Sequence, residues 1–387
     1  MRLKYSVFLA FTLIVACSQQ ENNNKITYEP DKKTLEIDIS KSITSNETFL
    51  EKIKITKILF LNGEDENFVT SARKIIEKNS LLYILDYKSK KLSIFNNEGN
   101  YVGQIGSKGR GPGEYTSIVD FVILDNGNIV TVGQQGLMLY DKNGDHLFTK
   151  GNIYPTHICK LGANKFAGFM GCNERDSSNL FVFDSELEKI DEFFPFPHDN
   201  LTKSGFFDVG GIQSNSSGLL YNDISSPVFH EVTSDKNLFA KYKITGSNKL
   251  WSFEERYELA YFQASMMQLK NIYHPFSTFQ ENEKSFIFSM LYEKKIRTFF
   301  YDKDTQKVYL PDVLGKKHMY PLFLTYDGLA LSENNEFITT VYMDKFYRSY
   351  KEEMKADLEK SFPELLTLTE GTDEYSNPAL VYFTFGE

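Results

Sequence analysis

The sequence predicts an all-β protein, a six-bladed β-propeller, and three observations lead there. First, six short β-rich segments recur: LLYILD (81–86), NIVTVG (128–133), KFAGFMG (165–171), GLLYNDI (218–224), SFIFSML (285–291) and EFITTVY (336–342). Their starts lie 47, 37, 53, 67 and 51 residues apart, the span of a four-stranded blade with variable loops. Second, several segments are apolar at successive positions, as Leu81 to Leu85 shows, so both faces of the strand are buried between neighbours. A β-sandwich would explain alternation but not six similar units. Third, 15% of the 387 residues are aromatic, with 33 Phe and 23 Tyr against one Trp, a bias that favours strands. A single compact core stops growing at roughly 250–300 residues, so a chain of this length divides or repeats.

Each unit can be extended in order. Most of the six segments are followed by a second strand and a turn: KLSIFNNEGN (91–100), GLMLYDKNGD (136–145), NLFVFDSELE (179–188) and IRTFFYDKDT (296–305). Asn97-Glu98-Gly99-Asn100 and Lys142-Asn143-Gly144-Asp145 carry the Asn and Gly that tight hairpins require. The sixth unit combines LFLTYDG (322–328), EFITTVY and ALVYFTF (379–385), which leaves it one strand short at the C-terminus. KIKITKILFL (52–61) is the natural donor, because an N-terminal strand in the last blade removes the open edges and locks the ring. The innermost strand of blade one then falls around Arg73 to Glu77. Helices are expected at Glu254 to Asn271, with an apolar stripe of Leu259, Phe262, Met266 and Leu269, and at about Lys345 to Ser361, charged and solvated. Pro363 stops the second.

Ahead of the propeller, Arg2 and Lys4 precede an uncharged, largely apolar run of 11 residues, Tyr5 to Val15. That run is too short to span a bilayer, which takes about 20 residues, and it fits the core of a secretory signal. Ile14-Val15-Ala16-Cys17 resembles a bacterial lipobox, in which Cys17 would be lipidated and become the mature N-terminus. Residues 1–16 then form the signal peptide, 17–30 a polar flexible tether, and 31–387 the propeller domain. Losing Arg2 and Lys4 takes the net charge from -9 to -11, so acyl chains rather than charge would hold the protein to anionic lipid. The other cysteines, Cys159 and Cys172, are expected as free, buried thiols. The turn at Gly162 to Lys165 sets Cys159 opposite about Gly168, leaving Cys172 on the order of 13 Å away along the strand. A disulfide needs Cα atoms within about 7 Å.

The segment IGSKGRGPGEYTSIVDFVILDNGNIVTV (105–132) resembles the NHL-like six-bladed propeller lipoproteins of bacterial envelopes. Ile105-Gly106, Gly109 and Gly111-Pro112-Gly113-Glu114-Tyr115 match that family's I-G-x-x-G-x-G-P-G-E-[FY] crossing from the first blade to the second. Asn377 to Tyr382 is also similar to its last strand, and the resemblance spans about residues 30–387. It implies the propeller fold and an envelope location, an outer-membrane lipoprotein facing the periplasm or the exterior, and no defined activity.

Long connections at 103–117, 194–209, 246–275 and 343–378 share one face, where binding on a rigid scaffold usually lives. The candidate ligand-binding residues are Lys108, Arg110, Glu114 and Tyr115 of the Gly-rich loop, with Asp120 and His157 on inner strands facing the channel. The loop lacks G-K-[ST] and a following helix, so it is no Walker A motif. Its glycines and Pro112 chiefly suit a tight crossing, with Arg110 paired to a carboxylate such as Glu114. None of the six histidines forms H-x-x-x-H or H-E-x-x-H, and there is no G-x-S-x-G elbow, so neither a zincin nor a serine hydrolase is supported. No basic stripe stands out, which argues against nucleic acid. The expected function is a lipid-anchored, non-catalytic binding module for a protein or glycan ligand on the loop-rich face. No cofactor is expected, although a propeller channel can hold calcium. The alternative is a channel-metal enzyme such as a lactonase-like hydrolase or a lyase, whose converging groups leave no local motif.

Overall fold

The computed structural model describes residues 27–28, 32–63, 67–170, 178–195, 210–223, 226–235, 237–246, 274–292, 295–311, 329–350 and 352–386. Six small antiparallel sheets form a six-bladed β-propeller. Blade one comprises Ala72–Lys78, Leu81–Asp86, Lys91–Asn96 and Tyr101–Ile105, and blade two Ile118–Ile123, Ile129–Gly133, Gly136–Tyr140 and His146–Lys150. Blade three comprises His157–Lys160, Phe166–Phe169, Ser178–Phe183 and Lys189–Pro195. Blade four follows with Gly210–Ser214, Gly218–Asp223, Val228–Thr233 and Asn237–Thr245, and blade five with His274–Glu281, Ser285–Tyr292, Lys295–Asp302 and Lys307–Tyr309. All six recurring segments are second strands, which explains their doubly apolar pattern: each lies between the sheets on either side of it.

The ring closes as the missing strand requires. In blade six, Ala330–Leu331, Phe337–Val341 and Ala379–Phe385 take Ile53–Phe60 as their outermost strand. The register runs antiparallel from Ala379 opposite Phe60 to Phe385 opposite Ile53. The inner strand lies just beyond LFLTYDG, at Ala330–Leu331, and residues 322–328 themselves lie outside the described set.

The chain also arrives at that strand by a route the sequence did not announce. Leu35–Asp38 pairs in parallel with Asn237–Thr245, and Thr27–Tyr28, within the expected tether, pairs with the start of the same strand. Ile43 bridges in parallel to Tyr309 of blade five. A five-residue helix, α1 (Asn46–Leu50), then packs Phe49 against Phe300 at 4.8 Å and Phe385 at 5.7 Å. This N-terminal strap covers outer edges of blades four and five before completing blade six, removing unpaired backbone from both.

Aromatic rings fill the seams between blades. Tyr242 stacks on Phe286 at 4.5 Å, and Phe229 meets Phe279 and Phe286 edge-on at 5.1 and 5.0 Å. The turns after third strands share one device. Asn96, Asp141, Asp184 and Asp302 each accept two backbone N–H bonds from residues two to four positions ahead. These are Asx turns, in which a side-chain oxygen replaces a backbone acceptor.

Three expectations are corrected. The helix at 345–361 is two helices, α2 (Met343–Ser349) and α3 (Glu352–Ser361), because Tyr350 is extended, with ψ 112°. The break lets Met343 and Phe346 of α2 and Leu358 of α3 reach one apolar cluster, so the segment is anchored rather than merely solvated. Phe194 belongs to the last strand of blade three and stacks on Tyr221 at 4.0 Å, so the connection starts after Pro195. Cys159 faces Ala167, one residue short of Gly168; its thiol is free and buried, and burial pushes its pKa up to about 12. Cys172 and the helix expected at 254–271 lie outside the described residues.

A buried charge cluster joins blades four and five. Glu281 accepts from Lys303 at 2.5 Å, Tyr242 Oη at 2.6 Å and Lys241 at 2.9 Å, and Lys241 also meets Glu231 at 2.5 Å. Burial would raise the Glu281 carboxyl, but the two ammonium groups and the hydroxyl more than offset it and hold the pKa below the usual value. A carboxyl with a depressed folded pKa contributes stability above its unfolded pKa, and loses it as pH falls through the folded one. Urea midpoints should therefore drop below about pH 4.5 in the native chain. Glu281→Gln should cost roughly 3 kcal/mol at pH 7, as breaking a buried pair does, and should show a smaller acid-induced drop.

Candidate functional site

Strand direction sorts the connections into two faces. Turns from first to second strands are short and lie on one face. Connections from second to third strands, and from each fourth strand to the next blade, lie on the other. The Gly-rich crossing belongs to that loop-rich face. Ser107–Lys108 pairs in parallel with Glu114–Tyr115, and Gly106 and Gly113 adopt φ of +60° and +77°, which glycine tolerates without a Cβ penalty. Tyr140 Oη donates to Gly113 O at 3.1 Å, and Tyr115 Oη to Ile105 O at 3.0 Å. Tyr115 is buried, and that burial raises its pKa. Lys108 and Arg110 are exposed. Glu114 takes the Gly111 N–H at 2.7 Å instead of pairing with Arg110, which corrects that expectation. A backbone donor held within the same turn loses less chain entropy than a long, exposed guanidinium would.

Asp120 and His157 lie on the first strands of blades two and three, apart from that loop. Asp120 is buried, and both its oxygens are engaged. Oδ1 meets Lys74 Nζ at 2.9 Å and the Phe121 N–H at 2.7 Å, and Oδ2 accepts the Ile158 N–H at 2.7 Å. Lys74 also donates to Ile158 O at 2.5 Å. Beside this, Arg73 Nη2 lies 3.5 Å from His157 Nε2, and His157 Nδ1 lies 3.2 Å from Thr156 Oγ1. Together these side chains form a crossbar from blade one to blades two and three. Among the described residues no three His, Cys, Asp or Glu side chains gather as a metal-binding set.

The feature the sequence reading missed is aromatic. Among the described residues, Phe68, Tyr87, Tyr154 and Tyr375 are exposed large rings, Tyr375 by 78%. All four sit in connections of the loop-rich face. Hydrogen bonds tie the loops together: Val69 N donates to Asn377 Oδ1 at 2.9 Å, Asn377 Nδ2 to Gly63 O at 3.2 Å, and Tyr87 N to Ser71 O at 2.9 Å. Arg73 lies over the Tyr87 ring at 5.0 Å and Lys90 at 3.4 Å. An arc therefore runs from Tyr375 through Phe68 and Tyr87 to Arg73 and His157, with Tyr154 three residues before His157. A polar groove of about 1000 Å³ adjoins it at the seam of blades six and one, lined by Asn62, Asn100, Tyr101, Glu370 and Asn377 among others. A signal was present in the sequence: Tyr87 follows a strand directly and precedes Lys88-Ser89-Lys90, a position no core can cover.

The crossbar has a testable weight. Asp120→Ala would leave two buried N–H groups without their acceptor and Lys74 without its carboxylate partner, and should lower stability by about 3 kcal/mol or more. Asp120→Asn keeps an acceptor and should cost less. Urea denaturation midpoints compare the two.

The profile of a domain of unknown function (DUF4934) matches residues 34–384. A Bacteroides fragilis protein named for its predicted export superposes with a TM-score of 0.72 at 16% identity, covering 92% of this chain and 99% of its own. At that identity the likeness shows the fold. A member of the DUF4221 family from Bacteroides vulgatus covers 67% of this chain and 86% of its own at 9% identity, with a TM-score of 0.45. No curated protein matches the chain. Among the described residues no helix is long and apolar enough to cross a membrane.

Proposed function

The chain belongs to the family of the domain of unknown function DUF4934, and from that footing we propose that it is an exported, lipid-anchored propeller whose loop-rich face binds a partner protein without chemistry of its own. The observation that carries this reading is the gathering of exposed rings, with Arg73, on the elaborated face. Tyr and Arg are the residue types that dominate binding energy at protein interfaces, because they bring large contact area with few torsions to freeze. The rings stand on loops pinned to a rigid scaffold, which lowers the ordering cost of association. In the channel, Asp120 already has all its bonds within the chain, so it serves as a brace.

Export and anchoring rest on Arg2, Lys4, the apolar run to Val15 and Ala16-Cys17, with lipid on Cys17 holding the protein at the outer membrane. The export predicted for the similar Bacteroides fragilis protein agrees with this. The likeness of Ile105 to Tyr115 to NHL-like envelope lipoproteins is read as kinship of fold.

A photo-crosslinking amino acid placed singly at Tyr87, Tyr375 or Leu147 in the native envelope tests the reading. The expected result is one discrete protein adduct from Tyr87 and Tyr375, and none from Leu147 on the outer strand of blade two. Adducts only with glycan, equal labelling from all three positions, or none from Tyr87 and Tyr375, would contradict it.

A further inference from the structure

On the other side of the crossbar lies a cavity of about 230 Å³, bordered by inner strands of all six blades. Its lining is drawn mostly from the ends of those strands that lead into the short turns: Ile123, Lys160, Ser214, Gln280 and Leu331. Three properties define what it would hold. Gln280 is only 5% exposed, lines the cavity, and has no hydrogen-bond partner for its amide among the described residues. The Gln213 amide borders the same space and likewise has none. Both amides are therefore free to bond a molecule held in the cavity.

The described lining is cationic and holds no carboxylate: Arg73, Lys74, Lys78 and Lys160 contribute, and the acidic partners of the three lysines stand outside it. Lys160 pairs with Asp125 and Lys78 with Glu333 at 3.7 Å, both as exposed, solvent-screened pairs that yield easily to a better anion. Most of the remaining described wall is aliphatic, with Ile75, Ile76, Ile123, Leu329 and Leu331, and none of the described lining residues is aromatic. The volume equals about eight waters of liquid, enough for a molecule of roughly that many non-hydrogen atoms.

We propose that this axial cavity binds a small aliphatic carboxylate, its anionic end on Lys160 and the Gln213 and Gln280 amides, its hydrocarbon body against the isoleucines and leucines. The site lies beyond Arg73 from the exposed rings of the aromatic arc, and that guanidinium is the one group the two share.

Calorimetric titration of the full chain with straight-chain monocarboxylates of four to six carbons and the four-carbon dicarboxylate tests this, with the matching alcohols and inorganic phosphate as controls. At least one carboxylate should saturate at a single site, with the matching alcohol at least tenfold weaker. Gln280→Leu and Lys160→Met should each weaken binding at least tenfold, while Leu147→Ala, on the outer strand of blade two, leaves it within twofold. Should Gln280→Leu fail to fold, Lys160→Met decides, since it alters only an exposed pair. The proposal is overturned if no carboxylate saturates, if alcohols or phosphate bind as well, or if binding survives the substitution of Lys160.

Discussion

The structure depends on one piece of backbone pairing, that of Ile53–Phe60 with Ala379–Phe385. A propeller blade has two apolar faces and two edges, and none of these is stable alone in water. Each blade buries its faces against its neighbours, so the first and last must meet. Here they meet because one blade is assembled from both ends of the chain. Ala379 to Phe383 are buried without exception, and the strand from the N-terminal side covers an edge that would otherwise expose a ladder of N–H and C=O groups. Burying a Leu or Phe side chain stabilises by roughly 1.5–3 kcal/mol, so several such residues acting across one closure outweigh any surface contact in the molecule.

Two other features follow from that closure. The strap that leads to it lays Ile37 and Ile39 into the seam of blades four and five, and Phe49 against blades five and six. Just ahead of Ala379, Asn377 reaches Val69 and Gly63, fixing the loop of Tyr375 beside that of Phe68. The closure thus positions part of the aromatic arc. Within the channel, the Arg73–His157 and Lys74–Asp120 contacts separate that arc from the cationic cavity, so one scaffold presents two chemically different ends.

Much of the fold was legible because its signals are local and repeated. Leu81 to Leu85 and its five counterparts each declare a doubly buried strand, and the chain that lacked a last strand pointed back to KIKITKILFL. What was hidden is non-local. Leu35–Asp38 carries a pattern no different from any short strand, and its partner lies some 200 residues away. Tyr350 interrupts a periodic helix only because the packing of Phe346 and Leu358 rewards a bend there. At the candidate sites, Asp120 and His157 could be placed by strand position, but their partners Lys74 and Arg73 come from another blade. Gln280 sits next to the buried Glu281 and reads as one more polar residue in a strand; only the assembled ring places it in the lining of a cavity.

Native-state hydrogen exchange on the amides of Ile53–Phe60 and Ala379–Phe385 tests most directly whether closure governs the fold. If it does, those amides exchange only with global unfolding, at the same free energy as the second strands of the other blades. Exchange of these two strands at a markedly lower free energy, with the other blades still protected, would contradict it: the ring would then stand without its clasp.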